Sequence, residues 1–152
     1  MKAIFSLRAG AVSAMLALAG CPGTGAADTL RGALLKGETA SDIYDVTCPR
    51  SGSTRLDVGI ESLKKVPYIL TASTLFGDKS VSTSDKKGAD RKPSSLSTLA
   101  AGRGTYTVTV SKTLKPRKKE KTLKRGVIYT LTYHCIMGTE HTETEVQVMQ
   151  NQ

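Results

Sequence analysis

Beyond about residue 28, polar and apolar residues alternate with a period of two through much of the chain. "SDIYDVTC" sets Tyr44, Val46 and Cys48 on one side, with Asp45 and Thr47 on the other. "RLDVGIESL" places Leu56, Val58 and Ile60 against Arg55, Asp57 and Glu61. "TYTVTVSK" opposes Tyr106, Val108 and Val110 to Thr105, Thr107 and Thr109. "VIYTLTYHC" aligns Tyr129, Leu131, Tyr133 and Cys135. Successive side chains point to opposite faces of a strand, so this pattern predicts half-buried antiparallel strands.

The remaining segments fit the same scheme. "ADTLRGALLKGETA" reads as an edge strand and a turn, and "YILTASTLF" as a more continuous apolar strand. "FGDKS" is a turn that leads into "SVSTS", while "DKKGADRKPSS" is a polar loop. "SLSTLAAGRG" is a short strand ending in a Gly turn. The final strand, "HTETEVQVM", is expected to point Thr142, Thr144, Val146 and Val148 inward. Seven to nine evenly spaced strands predict an all-β, antiparallel β-sandwich of jelly-roll or Ig-like type, forming one domain over 28–152.

The N-terminus has a different composition. "MKAIFSLR" carries Lys2 and Arg8, and "AGAVSAMLALAG" is an apolar run too short to span a bilayer. This is the layout of an export signal over residues 1–20, or to residue 27 if cleavage follows Gly25-Ala26-Ala27. Leu18-Ala19-Gly20-Cys21 resembles a bacterial lipobox, which implies lipidation of Cys21. The expected location is therefore outside the cytoplasm, as an outer-membrane lipoprotein or a periplasmic or extracellular protein. Contact with a membrane is expected only through the lipid anchor. Either processing route leaves Cys48 and Cys135, both in core phase near strand ends. In an oxidising compartment a disulfide between them is expected.

The order of segments resembles the bacterial pre-peptidase C-terminal (PPC) domain. "LRGALLKGETASDIYDVTCPRSGSTRLDVGI" resembles the opening of that family, and "YILTASTLFGDKSVSTSD" its central strand pair. "LAAGRGTYTVTVSK" followed by "VIYTLTYHC" resembles its closing pattern. The resemblance spans most of residues 29–135. It implies a jelly-roll-like sandwich and accessory or binding work on exported proteins, with no catalytic residues. Some members bind calcium, but the candidate loop here mixes Asp78, Asp85 and Asp90 with Lys79, Lys86 and Lys87, a poor cage for a hard cation.

Charge adds a candidate ligand class. The chain carries 22 Lys and Arg against 13 Asp and Glu, a net +9. Lys112, Lys115, Arg117, Lys118, Lys119, Lys121, Lys124 and Arg125 crowd one stretch, with Glu120 the only acid among them. Such a cluster attracts polyanions. The partners expected are anionic polysaccharide, lipopolysaccharide or an envelope protein. Sequence-specific nucleic acid is not expected, because no aromatic residues interleave with the cations.

Chemistry of other kinds finds less support. No nucleophile elbow, His-Glu-x-x-His, Walker A or Cys-x-x-Cys motif occurs, so an enzyme is not expected, nor is a cofactor. "LTYHCIMGTEHTETEV" holds both histidines. If "MGTE" forms the hairpin loop, paired positions sum to 277, placing His134 opposite Glu143 and Thr132 opposite Glu145. His134, His141 and Glu143 would then share an outward face, a candidate surface site for Zn²⁺ or Cu²⁺. A third reading is a structural subunit of an envelope assembly, with its Thr-rich sheet faces covered.

Overall fold

A computed structural model describes residues 28–37, 39–88, 90, 92–116 and 126–152. Ten strands form among the described residues: β1 (Asp28–Leu34), β2 (Ser41–Cys48), β3 (Arg55–Ser62), β4 (Tyr68–Phe76), β5 (Lys79–Asp85), β6 (Ser97–Leu99), β7 (Gly104–Leu114), β8 (Val127–Met137), β9 (Glu140–Thr142) and β10 (Glu145–Gln150). One sheet has the order β1-β8-β3-β6, with β9 also on β8; the other has the order β10-β2-β7-β4-β5. All pairings are antiparallel.

The order has a simple origin. β1 pairs with β8, β2 with β7, β3 with β6 and β4 with β5, as in one long hairpin folded at the β4–β5 turn. Rolling that hairpin up creates two further pairings, β3 with β8 and β4 with β7. The result is an eight-stranded jelly roll. β9 and β10 are additions at its C-terminal side.

The alternating positions build the core as expected. Tyr44, Val46, Leu56, Val58, Ile60, Tyr106, Val108, Val110, Tyr129 and Leu131 are all buried between the sheets. Cys48 at the end of β2 and Cys135 in β8 form a disulfide across the two sheets, with Cα atoms 5.6 Å apart. At the same end the Tyr106 hydroxyl donates to the Gly102 carbonyl at 2.5 Å, fastening the turn before β7 to its own strand.

Core-phase positions on β2 and β7 also carry ionisable side chains. Asp42 lies on the inner side of β2 and is fully buried. The Tyr129 hydroxyl donates to its Oδ2, and the Gln152 amide donates to its Oδ1 at 2.7 Å. The Tyr44 and Tyr129 hydroxyls are 2.6 Å apart, completing a polar cluster inside the core. Lys112, also inward on β7, donates to the Leu35 carbonyl and lies 5.2 Å over the Tyr68 ring.

The C-terminal stretch departs from expectation, which raises the strand number to ten. The 277 register holds for three pairs, from Met137–Glu140 to Cys135–Thr142. The chain then leaves the first sheet. Thr144 Oγ1 accepts from the Cys135 amide at 3.1 Å, standing in for the next ladder bond. β10 continues on the other sheet, where Glu145 faces Thr47 rather than Thr132. Val146 and Val148 face the core residues Val46 and Tyr44 and so keep the inward phase expected of them. The first sheet does not cover them, and they remain 36% and 51% exposed.

Candidate functional site

The jelly roll sorts its connections between two ends. The described parts of the β1–β2, β3–β4, β5–β6 and β7–β8 connections (residues 35–37, 39–40, 63–67, 86–88, 90, 92–96, 115–116 and 126) meet at one end. Their contacts are direct: the Lys115 amide donates to the Pro67 carbonyl at 2.8 Å, and Lys115 Nζ donates to the Val66 and Lys87 carbonyls at 3.2 and 3.3 Å. The 86–88 turn is held by Asp85, whose Oδ1 accepts from the Lys87 and Gly88 amides and whose Oδ2 accepts from the Ser62 amide. Asp85 is thus buried and committed to backbone, not to a cation.

These four connections contain 14 of the chain's 22 basic residues and three acids, Glu38, Asp90 and Glu120. Lys36, Lys64, Lys65, Lys86, Lys87 and Lys92 are exposed, and Lys115 is half-buried. Arg91 and the six cations Arg117, Lys118, Lys119, Lys121, Lys124 and Arg125 lie outside the described residues. The connections at the opposite end carry Arg50 and Arg103 against Asp78 and Glu143, which balance. Among the described residues, one end of the sandwich therefore carries seven lysines against Asp90 alone.

The structure corrects the sequence reading here. Lys112 does not belong to the solvent-facing cluster: it is only 4% exposed, and burial lowers its pKa below the usual lysine value. Its position follows the inward phase of Tyr106, Val108 and Val110, one step further along β7. Conversely, Lys64, Lys65 and Lys36 belong to the basic end, although they are distant in sequence from the Lys112–Arg125 run. Only the roll brings them together.

The histidine stretch is arranged differently from a chelating site. His134 sits on the outer face of the first sheet but is only 5% exposed. Its register partner is Asp57, with Nε2 to Oδ2 at 3.8 Å. Asp57 also accepts from Thr98 Oγ1 at 2.7 Å and lies 3.4 Å from Arg55 Nε. The His141 ring stacks on His134, centroids 4.3 Å apart and planes 13° from parallel. Imidazole lone pairs lie in the ring plane, so two nearly parallel stacked rings cannot aim at one ion. Glu143 is exposed and outside the ladder. Among the described residues, no group of three or more His, Cys, Asp and Glu side chains is placed to hold a metal. Burial first, and then the neighbouring His141, push the His134 pKa below its ordinary value.

The other sheet's outer face is neither basic nor aromatic. Thr47 and Thr105 share a hydroxyl–hydroxyl bond of 2.9 Å, as do Thr71 and Ser84, and Thr107 donates to Asp45 at 3.1 Å. A shallow depression of about 440 Å³ lies at its margin, lined by Asp45, Thr47, Thr105, Glu145, Val146 and Gln147. Two carboxylates and no cation make this a poor seat for an anion. Cys21 lies outside the described residues.

No family model matches the chain, and no curated protein or solved structure does either.

Proposed function

We propose that this protein is an exported, non-catalytic binding module that grips anionic polymers or surfaces with the lysine-rich end of its sandwich. The observation that carries the reading is the convergence of four connections whose described residues hold seven lysines and one acid, Asp90, against a balanced opposite end. Their contacts through Lys115 fix the lysine-bearing loops next to one another. Clustered like charge on a low-dielectric scaffold raises the local concentration of polyanions and speeds encounter.

The described cations of this end are all lysines. Lysine is a strongly hydrated point charge without the bidentate fork of arginine. It therefore suits contact with repeated phosphate, sulfate or carboxylate groups more than recognition of one of them. Envelope polyanions, such as acidic polysaccharide and lipopolysaccharide, have this chemistry. The PPC-like strand pattern and the lipobox-like Leu18–Cys21 fit an accessory role in the bacterial envelope.

Retention on a sulfated-polysaccharide resin tests the reading. Changing Lys64, Lys65, Lys86 and Lys87 together to Ala should lower the salt needed for elution, and so should neutralising Lys118, Lys119 and Lys121. Arg50→Ala with Arg103→Ala at the opposite end should not. Equal elution of all four proteins would overturn the proposal.

A further inference from the structure

β10 lies beyond the eight-stranded roll and forms a free edge of its sheet among the described residues. Exposed edges invite pairing with another chain, and proteins ordinarily blunt them with lysine, proline, bulges or very short strands. The other edges follow that rule: β6 is three residues long, β5 begins with Lys79, and β1 carries Arg31 and shares its flank of β8 with β9. β10, "EVQVMQ", carries no Lys, Arg or Pro in a chain with 22 basic residues. Its inner side presents Val146 and Val148 uncovered, and Met149 is also exposed. A bulge between Val148 and Gln150 limits the regular ladder to the first part of the strand.

We infer that β10 pairs antiparallel with β10 of a second copy, about a twofold axis through Gln147. The segment is self-complementary in that register. Val146 would face Val148 of the partner subunit and Val148 would face the partner's Val146, giving two apolar cross-strand pairs on the inner side. Gln147 would face the partner's Gln147. Glu145, the only charge in the strand, would face the partner's Met149, so no like charges oppose. The bulge, at Met149, lies at the end of this short ladder, which is regular from Val146 to Val148. An isologous contact of this kind closes on itself and stops at two copies.

Electrostatics permits a second copy in this orientation. The net charge of +9 opposes self-association in general. An antiparallel twofold, however, points the two lysine-rich ends in opposite directions. β2 alone, with eight residues, spans roughly 26 Å, several times the roughly 8 Å screening length at physiological salt. The two clusters therefore do not repel appreciably. The pairing stands apart from the proposed function. Where both hold, the dimer has two binding ends and can bridge or bind a polymer with avidity.

Sedimentation equilibrium of the purified exported form, from about 10 µM to 1 mM, tests the inference over the range where weak homodimers appear. The expected result is a monomer–dimer equilibrium that Val148→Lys weakens at least about tenfold, with an unchanged unfolding temperature because Val148 is half exposed. Under mild oxidation Gln147→Cys should give a covalent dimer, whereas Ser82→Cys on β5 should not. A monomer throughout, a dimer indifferent to Val148→Lys, or equal cross-linking from Ser82→Cys would each overturn the pairing. Polysaccharide retention of the Val148→Lys protein is read separately, since the variant leaves the lysine-rich end intact.

Discussion

Tyr129 donates its hydroxyl to the carboxylate of Asp42 inside the core, joining β8 of one sheet to β2 of the other. A buried carboxylate is stable only with hydrogen bonds of this kind. Burial and the bond to Asp42 both raise the Tyr129 pKa far above its ordinary value, so the phenol remains a donor at all working pH. Tyr129→Phe should destabilise the fold by about 2–3 kcal/mol, the range for a lost hydrogen bond to a charged group. Urea unfolding checks this; a loss under about 0.5 kcal/mol would show that the bond contributes little.

The same tyrosine constrains β1. A Cβ at Gly32 would meet the Tyr129 ring and hydroxyl at 2.3 Å. That hydroxyl cannot shift freely, because Asp42 and Tyr44 both hold it. Gly32→Ala should therefore cost about 1–3 kcal/mol, as overpacked cores do, even though β1 is an edge strand. Thermal unfolding of the variant provides the test.

The disulfide closes a loop with a sequence separation of 87. In the chain-entropy account such a bridge contributes about 4–5 kcal/mol. Cys48→Ser with Cys135→Ser should lower the unfolding free energy by about that amount, measured against the oxidised protein. Addition of reductant to the wild type should shift its midpoint the same way.

His134 makes stability depend on pH. Burial and His141 hold its folded pKa below the ordinary 6.5. As pH falls through 6.5, the unfolded chain takes a proton that the folded chain refuses, so the unfolded state binds more protons and stability falls. The loss begins near pH 6.5 and is complete below the lowered folded pKa. His134→Gln should flatten this slope, as read from unfolding midpoints between pH 7 and the acid limb. An unchanged slope would show that other groups cause it.

Lys112 separates the buried cation from the binding ones. It has a carbonyl acceptor and a ring face but no carboxylate within ion-pair distance among the described residues. Replacing a buried charge with an apolar side chain of similar length is often neutral or stabilising. Lys112→Met should leave polysaccharide retention unchanged and leave or raise stability by about 1 kcal/mol.

Period-two alternation made the eight core strands legible, including the inward phase of Cys48 and Cys135. It also gave the β8–β9 register, because a short Gly turn fixes pairing locally. The exit of the chain at Thr144 was not legible, since "HTETEVQVM" alternates evenly through the point where it changes sheets. Phase also cannot report cover. Val148 has a core phase but lies past the edge of the opposing sheet, while His134 has a surface phase but lies beneath His141. The basic end was legible as one dense run, with Lys86, Lys87, Arg91 and Lys92 in another loop free to share that end. Lys36, Lys64 and Lys65 join it only through strand order, a non-local property that charge patterning along the chain does not contain.

The most direct test of the proposed function is the salt dependence of affinity for a defined sulfated oligosaccharide. Wild type should bind with an affinity that falls steeply as salt rises. The protein with Lys64, Lys65, Lys86 and Lys87 changed to Ala should show a log–log slope shallower by about 0.7–0.9 per lysine that contacts the ligand. Identical slopes, or binding that does not respond to salt, would contradict the account.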